Sequence, residues 1–197
     1  AANALGMGAD VTIVDLSIPR LRDLERRFQG TIRTAVSSHY EIARLVREAD
    51  LVVGSVLIPG AQAPKLVTDE MVASMKPGSV LVDIAIDQGG CFEGSRPTTH
   101  DDPTFPVHDS IYYCVANMPG AVPETSTRAL TNATLPYALS LADKGWRRAL
   151  AEDEALRRGL NAHDGIVTNA GVAQALGLEY TAVEKVLADG AATPAFA

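Results

Sequence analysis

Two acids stand four residues apart in an apolar stretch, Asp83 and Asp87, and the second is followed by Gln88-Gly89-Gly90. A carboxylate at the end of a buried strand can orient water or an amine and stabilise a developing positive charge. In open α/β sheets, ligands bind beyond the carboxyl ends of the strands. That rule selects Asp87, expected at the strand's end, over Asp83, expected inside it and structural. The glycines let the backbone turn tightly and come close to a ligand. A third acid, Asp15, closes the run Val11-Thr12-Ile13-Val14, which follows a helix tail stopped by Gly6 and Gly8. An acid there can accept hydrogen bonds from the ribose hydroxyls of a bound dinucleotide, and it repels a 2'-phosphate, so it favours NAD over NADP.

The elements that must position these acids follow from pattern. Val11 to Asp15 reads as a buried parallel strand, and Thr31 to Val36 as a second. Between them Ser17 can cap a helix whose first turn holds Pro19, with Leu21, Leu24 and Phe28 on one face. Glu41 to Ala49 reads as the next helix, Asp50 to Leu57 as an apolar strand, Ile58 to Pro64 as a Pro- and Gly-containing loop. Thr68 begins a helix running to about Met75, Ser79 to Ile86 is the next strand, and Ile111 to Val115 another. Strands alternating with helices define an α/β class. The expected architecture is an incomplete Rossmann-type parallel sheet over residues 1–123, followed by a helical C-terminal segment over 124–197. In that segment Thr125 to Arg148 has a helical pattern that Pro136 is expected to kink or interrupt. Further helices are expected over Ala149 to Leu160, Asn169 to Leu178 and Thr181 to Leu187, and the end from Gly190 is alanine-rich. The glycine fingerprint of a dinucleotide fold belongs about 20 residues before its ribose-binding acid. Only 14 residues precede Asp15. The first strand and the phosphate-cradling turn are therefore expected upstream of this sequence, and the chain by itself is expected to be poorly stable and inactive.

Composition narrows the partners. The formal net charge is -7, with a sequence pI of about 5.0. Nucleic acid and anionic membranes need a basic face, so neither is expected. No apolar run reaches the roughly 20 residues a membrane helix needs. Cys91 and Cys114 lie in apolar surroundings and read as reduced, buried thiols of a reducing compartment, the cytoplasm. His39, His100, His108 and His163 read as surface or loop residues, and Trp146 as a core or interface side chain.

Several long stretches carry a resemblance. They are residues 54–67, residues 75–93 with Val82-Asp83-Ile84-Ala85-Ile86-Asp87-Gln88-Gly89-Gly90 at their centre, residues 95–100, residues 114–123 with Val115-Ala116-Asn117-Met118-Pro119-Gly120, and residues 125–127 and 130–137. Together they resemble the alanine dehydrogenase family, whose nearest relative is the NAD-binding subunit of proton-pumping transhydrogenase. The resemblance covers nearly the whole chain and weakens after about residue 180. It implies NAD-dependent, reversible oxidative deamination of L-alanine to pyruvate and ammonium. It also implies a homo-oligomer, usually a hexamer, and a cofactor domain inserted into a substrate domain whose last helices come from the C-terminus. Carried over residue by residue, it makes Asp87 the catalytic acid and assigns cofactor contacts to Asp15, Arg20, Ser37, Val56, Leu57, Ile84, Ala85, Ile86, Asp87, Arg96, Val115, Ala116, Asn117 and Met118. The family's catalytic histidine and its substrate-carboxylate ligands belong upstream. Where some relatives carry metal ligands this sequence has Ser140 and Lys144, so no metal is expected. Two other readings are a transhydrogenase NAD(H) subunit and a non-catalytic NAD-binding fragment. The run after Asp87 leans towards the deaminating branch.

Overall fold

The computed structural model describes residues 1–58 and 62–189. Pro59, Gly60 and Ala61 of the expected loop, and the alanine-rich end from Gly190, lie outside the described residues. The chain divides into two compact units, Ala1–Val56 with Pro64–Ala116, and Leu57–Ala63 with Asn117–Ala197.

The first unit begins with a short helix α1 (Ala2–Gly6), then β1 (Thr12–Asp15), α2 (Ile18–Phe28), β2 (Arg33–Val36), α3 (His39–Glu48), β3 (Leu51–Gly54), α4 (Asp69–Ala73), β4 (Val80–Asp83), β5 (Thr104–Val107) and β6 (Ser110–Tyr113). Helices α2 and α4 start where their sequence predicts, and α3 starts at His39, two residues before the expected Glu41. The Ser17 hydroxyl accepts from the Arg20 N–H, the Ser38 hydroxyl from the Glu41 N–H and the Thr68 hydroxyl from the Met71 N–H. Such caps satisfy donors that the first helical turn leaves without partners. Leu21, and Ile42 with Val46, are the buried faces of α2 and α3.

Strands β1 and β2 pair in parallel as a two-stranded sheet. A second sheet runs β3-β4-β6-β5, parallel through β3, β4 and β6. The α/β class expected from the sequence is therefore present. In the common strand order 3-2-1-4-5-6, β1 and β2 fill the 2 and 3 places and β3, β4 and β6 the 4, 5 and 6 places. The two runs form separate sheets, so β1 and β3 are both edge strands.

Three expectations need correction here. Residues 11–15 and 51–54 are parallel strands but not buried ones: Val14 is 36% exposed, Leu51 54% and Val53 52%. A parallel strand is buried on both faces only where helices cover both, and these exposures show that cover to be incomplete. The strand expected over 79–86 ends at Asp83, because the Asp83 carboxylate accepts the N–H of Ala85 two residues on and turns the chain. Asp83 thus closes the strand, and Asp87 lies on a 3₁₀ turn, Ile86–Gln88, beyond it. The sheet is also mixed. Strand β5 pairs antiparallel with β6 through a tight hairpin whose His108 adopts φ of 50°. Pro106 sits on this edge strand, where a missing N–H is tolerated.

The core of the first unit lies around the second sheet. Leu81, Phe92, Tyr112, Cys91 and Cys114 are almost fully buried, joined by Val72 and Met71 from α4. The Phe92 and Tyr112 rings meet edge-on at 5.9 Å, and the Tyr112 hydroxyl donates to the Glu93 carbonyl at 3.0 Å. Burial pushes the Tyr112 phenol well above its ordinary range, and the nearby Cys114 thiol adds to the effect.

The second unit holds α5 (Pro123–Lys144), α6 (Trp146–Glu152), α7 (Glu154–Arg158), a small hairpin of β7 (Ala162–His163) and β8 (Ile166–Val167), α8 (Ala170–Leu176) and α9 (Val183–Asp189). Helix α5 runs through Pro136, so of the kink or interruption expected there the interruption does not occur. A proline forfeits its own N–H bond, while the flanking turns keep theirs. The helix expected over 149–160 is two helices. Asp153 divides them, its carboxylate accepting the N–H groups of Ala155 and Leu156. Trp146 lies 4.4 Å from the His163 ring, centroid to centroid, with the Arg147 guanidinium 4.3 Å from its own centroid. Arg147 also donates to the Val186 carbonyl, tying α9 to α6. Lys144 forms an ion pair with Glu152 at 2.8 Å.

Candidate functional site

The site is built on loops that leave the carboxyl ends of the parallel strands. In the two-stranded sheet, Asp15 ends β1 and Ser37 follows β2. They are brought together: the Ser37 N–H donates to the Asp15 carbonyl at 2.9 Å. The Asp15 carboxylate accepts the Ser17 N–H at 2.7 Å, which fixes its orientation at the start of α2. Arg20 lies on the first turn of α2 with an exposed side chain.

In the four-stranded sheet, Val56 follows β3, Ile84 to Asp87 follow β4, and Val115 and Ala116 follow β6. The Ile84 N–H donates to the Gly54 carbonyl at 2.8 Å, so the exits of β3 and β4 stay in register. Ala85 and Ile86 are buried, whereas Ile84 is 51% exposed. The 3₁₀ turn presents the Asp87 side chain to solvent. Beside it, the Gln88 side-chain oxygen is buried without a hydrogen-bond partner. An acceptor in that state lacks the donor that buried oxygens ordinarily have. Val115 is buried and bridges to Thr98, whose carbonyl accepts the Ala116 N–H. The Arg96 guanidinium lies 4.1 Å from the centroid of the Phe105 ring on β5. Leu57, Asn117 and Met118 belong to the second unit.

Sequence reasoning read Asp83 as structural and missed only its place within the loop, where it is the most heavily bonded group. Asp83 is fully buried, and its carboxylate accepts from the backbone of Ala85, Cys91 and Phe92 and from the Ser95 hydroxyl. The Cys91 thiol is 3.5 Å from the same carboxylate. Burial, then the adjacent Asp83 charge, pushes this thiol up to about 12. It is a structural sulfhydryl, not a nucleophile. Lys65 was also missed: its ammonium donates to the carbonyls of Gly89 at 2.6 Å and Gly90 at 2.9 Å. The only sequence signal for these groups was a charge inside an apolar strand and a cation just after a proline-bounded loop.

Comparison with known proteins identifies the family and the fold. The family model described as "Alanine dehydrogenase/PNT, C-terminal domain" matches residues 1–170. An alanine dehydrogenase of Mycolicibacterium smegmatis is 62% identical over 185 residues, covering 94% of this chain and 50% of that protein. One of Halomonas elongata is 60% identical over 180 residues, covering 91% of this chain and 48% of that protein. A solved L-alanine dehydrogenase superposes with a TM-score of 0.77 at 44% identity, covering 94% of this chain and 49% of that one. A transhydrogenase from Sinorhizobium meliloti shares the fold at a TM-score of 0.64 and 24% identity, covering 86% of this chain and 45% of its own. The chain thus spans about half the length of the curated relatives it matches. With a family match over residues 1–170, the chain belongs to the alanine dehydrogenase/PNT C-terminal domain family.

Proposed function

We propose that the full-length protein is an NAD-dependent alanine dehydrogenase and that this chain supplies its cofactor-binding half. The observation that carries the reading is Asp87, a solvent-facing carboxylate on the turn after β4, beside the exposed apolar Ile84. The residues present suit the cofactor. Asp15, oriented by the Ser17 N–H, would accept from the adenosine ribose, with Ser37 next to it and Arg20 on the adjoining helix turn. Val56 and Ala116 would line more of its length, with Ile84 to Asp87 beside the nicotinamide. Arg96 and Val115 are assigned to the same surface. The unpartnered Gln88 oxygen fits a site that receives a donor.

NAD, when bound, supplies the hydride acceptor for the substrate α-carbon. Asp87 would then do the chain's own chemistry. Its carboxylate would orient ammonia or water at the reacting carbon and stabilise the positive charge that develops there. The first unit serves as cofactor domain and the second as part of the substrate domain. We also assign the protein to a homo-oligomer, a hexamer. That assignment is supported by α5, 22 residues long with none buried, which presents Leu130, Leu135 and Leu139 to solvent. Two free thiols fit a cytoplasmic setting.

The test is Asp87→Asn in the full-length protein, assayed for NAD-dependent deamination of L-alanine. Loss of about 10²-fold or more in kcat with little change in NAD affinity is expected. Normal turnover in that variant overturns the reading.

A further inference from the structure

We propose that Asp83 and Lys65 are positioning residues that clamp the Asp87 turn from opposite electrical sides. The proposal rests on the reading of Asp87 given above.

The turn leaves β4 at Asp83 and doubles back past Ser95. One carboxylate oxygen of Asp83 accepts the Ala85 N–H at 3.2 Å. The other accepts the Cys91 N–H at 2.9 Å, the Phe92 N–H at 3.4 Å and the Ser95 hydroxyl at 2.6 Å. The segment thus wraps around a single carboxylate that is 0% exposed. Gly90 has φ of +72°, and a side chain there would meet the second oxygen at 2.7 Å. So the wrap closes only on glycine. The turn gives its N–H and O–H donors to the Asp83 carboxylate. Its acceptors are taken by the opposite charge: the Lys65 ammonium holds the carbonyls of Gly89 and Gly90. Asp87 sits between the two anchors, in a three-residue 3₁₀ turn.

A buried charge is retained only where donors surround it. Here every donor belongs to the loop itself. Asparagine could not substitute, because its NH2 would face groups that also donate. The arrangement therefore does more than fill the core. It fixes where the Asp87 carboxylate stands, and misplacing a reacting group by about 1 Å can cost about 10²-fold in rate.

The test compares Lys65→Met, Lys65→Arg, Ser95→Ala and Asp83→Asn with Asp87→Asn in the full-length protein. Lys65→Met and Ser95→Ala are expected to lower kcat about tenfold while leaving the KM for NAD within about twofold. Amide exchange at Ala85, Gly90 and Cys91 should quicken in parallel, and Lys65→Arg should restore much of the loss. Asp83→Asn should lose about 10²-fold. If it does not fold, Lys65→Met, altered at an exposed side chain, carries the decision. Unchanged kcat in Lys65→Met and Ser95→Ala, with Asp87→Asn inactive, overturns the clamp alone. So does a loss that merely follows the fraction of folded protein, with kcat per folded molecule intact. Turnover retained in Asp87→Asn overturns the site reading and the clamp with it.

Discussion

Gly54, the last residue of β3, packs directly on Cys91: a side-chain carbon at position 54 would lie 2.2 Å from the Cys91 sulfur and 2.7 Å from the Phe92 ring. No real carbon approaches a sulfur so closely, and both neighbours are buried in the core of the first unit. The strand therefore docks on the segment after the Asp87 turn only through the absence of a side chain.

Gly54→Ala is expected to destabilise the first unit by about 1–3 kcal/mol, the usual range for overpacking a tight core. It should also shift the segment at 91–92, because neither the sulfur nor the ring can withdraw freely. Urea unfolding monitored by near-ultraviolet signals reads the first effect. An unchanged midpoint would show that the packing seen at Gly54 is not the packing in solution.

The Cys91 thiol sets an alkaline limit. Its folded-state value stands at about 12 against an ordinary 9.0, because burial and the Asp83 charge both oppose the thiolate. Below pH 9 the thiol is protonated in both states and its contribution to stability is fully present. Between 9 and 12 the unfolded chain releases a proton that the folded chain keeps, so stability falls as pH rises. We expect the stability curve to decline across that window and Cys91→Ala to make the decline shallower. Equal slopes in the two proteins would rule out Cys91 as its source. The same burial predicts slow reaction with thiol reagents at neutral pH in the folded state.

Glu152 offers the opposite sign at the surface. Hydrogen bonds from Arg148 and Lys144 hold its carboxyl at about 2, below the ordinary 4.5. The favourable interaction is present above pH 4.5 and lost as pH falls towards 2. The group is exposed to solvent, so salt should screen the pair strongly. Carbon-detected titration of Glu152 is expected to show a depressed midpoint that climbs towards the ordinary value at 1 M salt. A salt-independent midpoint near 4.5 would mean that the three side chains do not meet in solution.

Local signals were legible without coordinates. Ser17, Thr68 and Asn169 cap helices where their types and positions predicted caps or helix starts, while the helix expected from Glu41 begins two residues earlier, capped by Ser38. The alternation of strand and helix gave the α/β class. These features depend on spacings of a few residues, and such spacings are written into the chain directly.

Tertiary structure decided the rest. Nothing near position 83 in the sequence announced that its carboxylate would gather N–H groups from positions 85, 91 and 92, or that Lys65 would close the same turn from the other side. The antiparallel β5, the continuity of α5 through Pro136 and the exposure of β1 and β3 were equally hidden. The exposure of β1 and β3 depends on which groups pack against each strand, while the hairpin at 104–113 and the helix through Pro136 turn on local geometry that pattern alone does not fix. Composition and periodicity state which face of an element is apolar, but only the folded chain determines what lies against it.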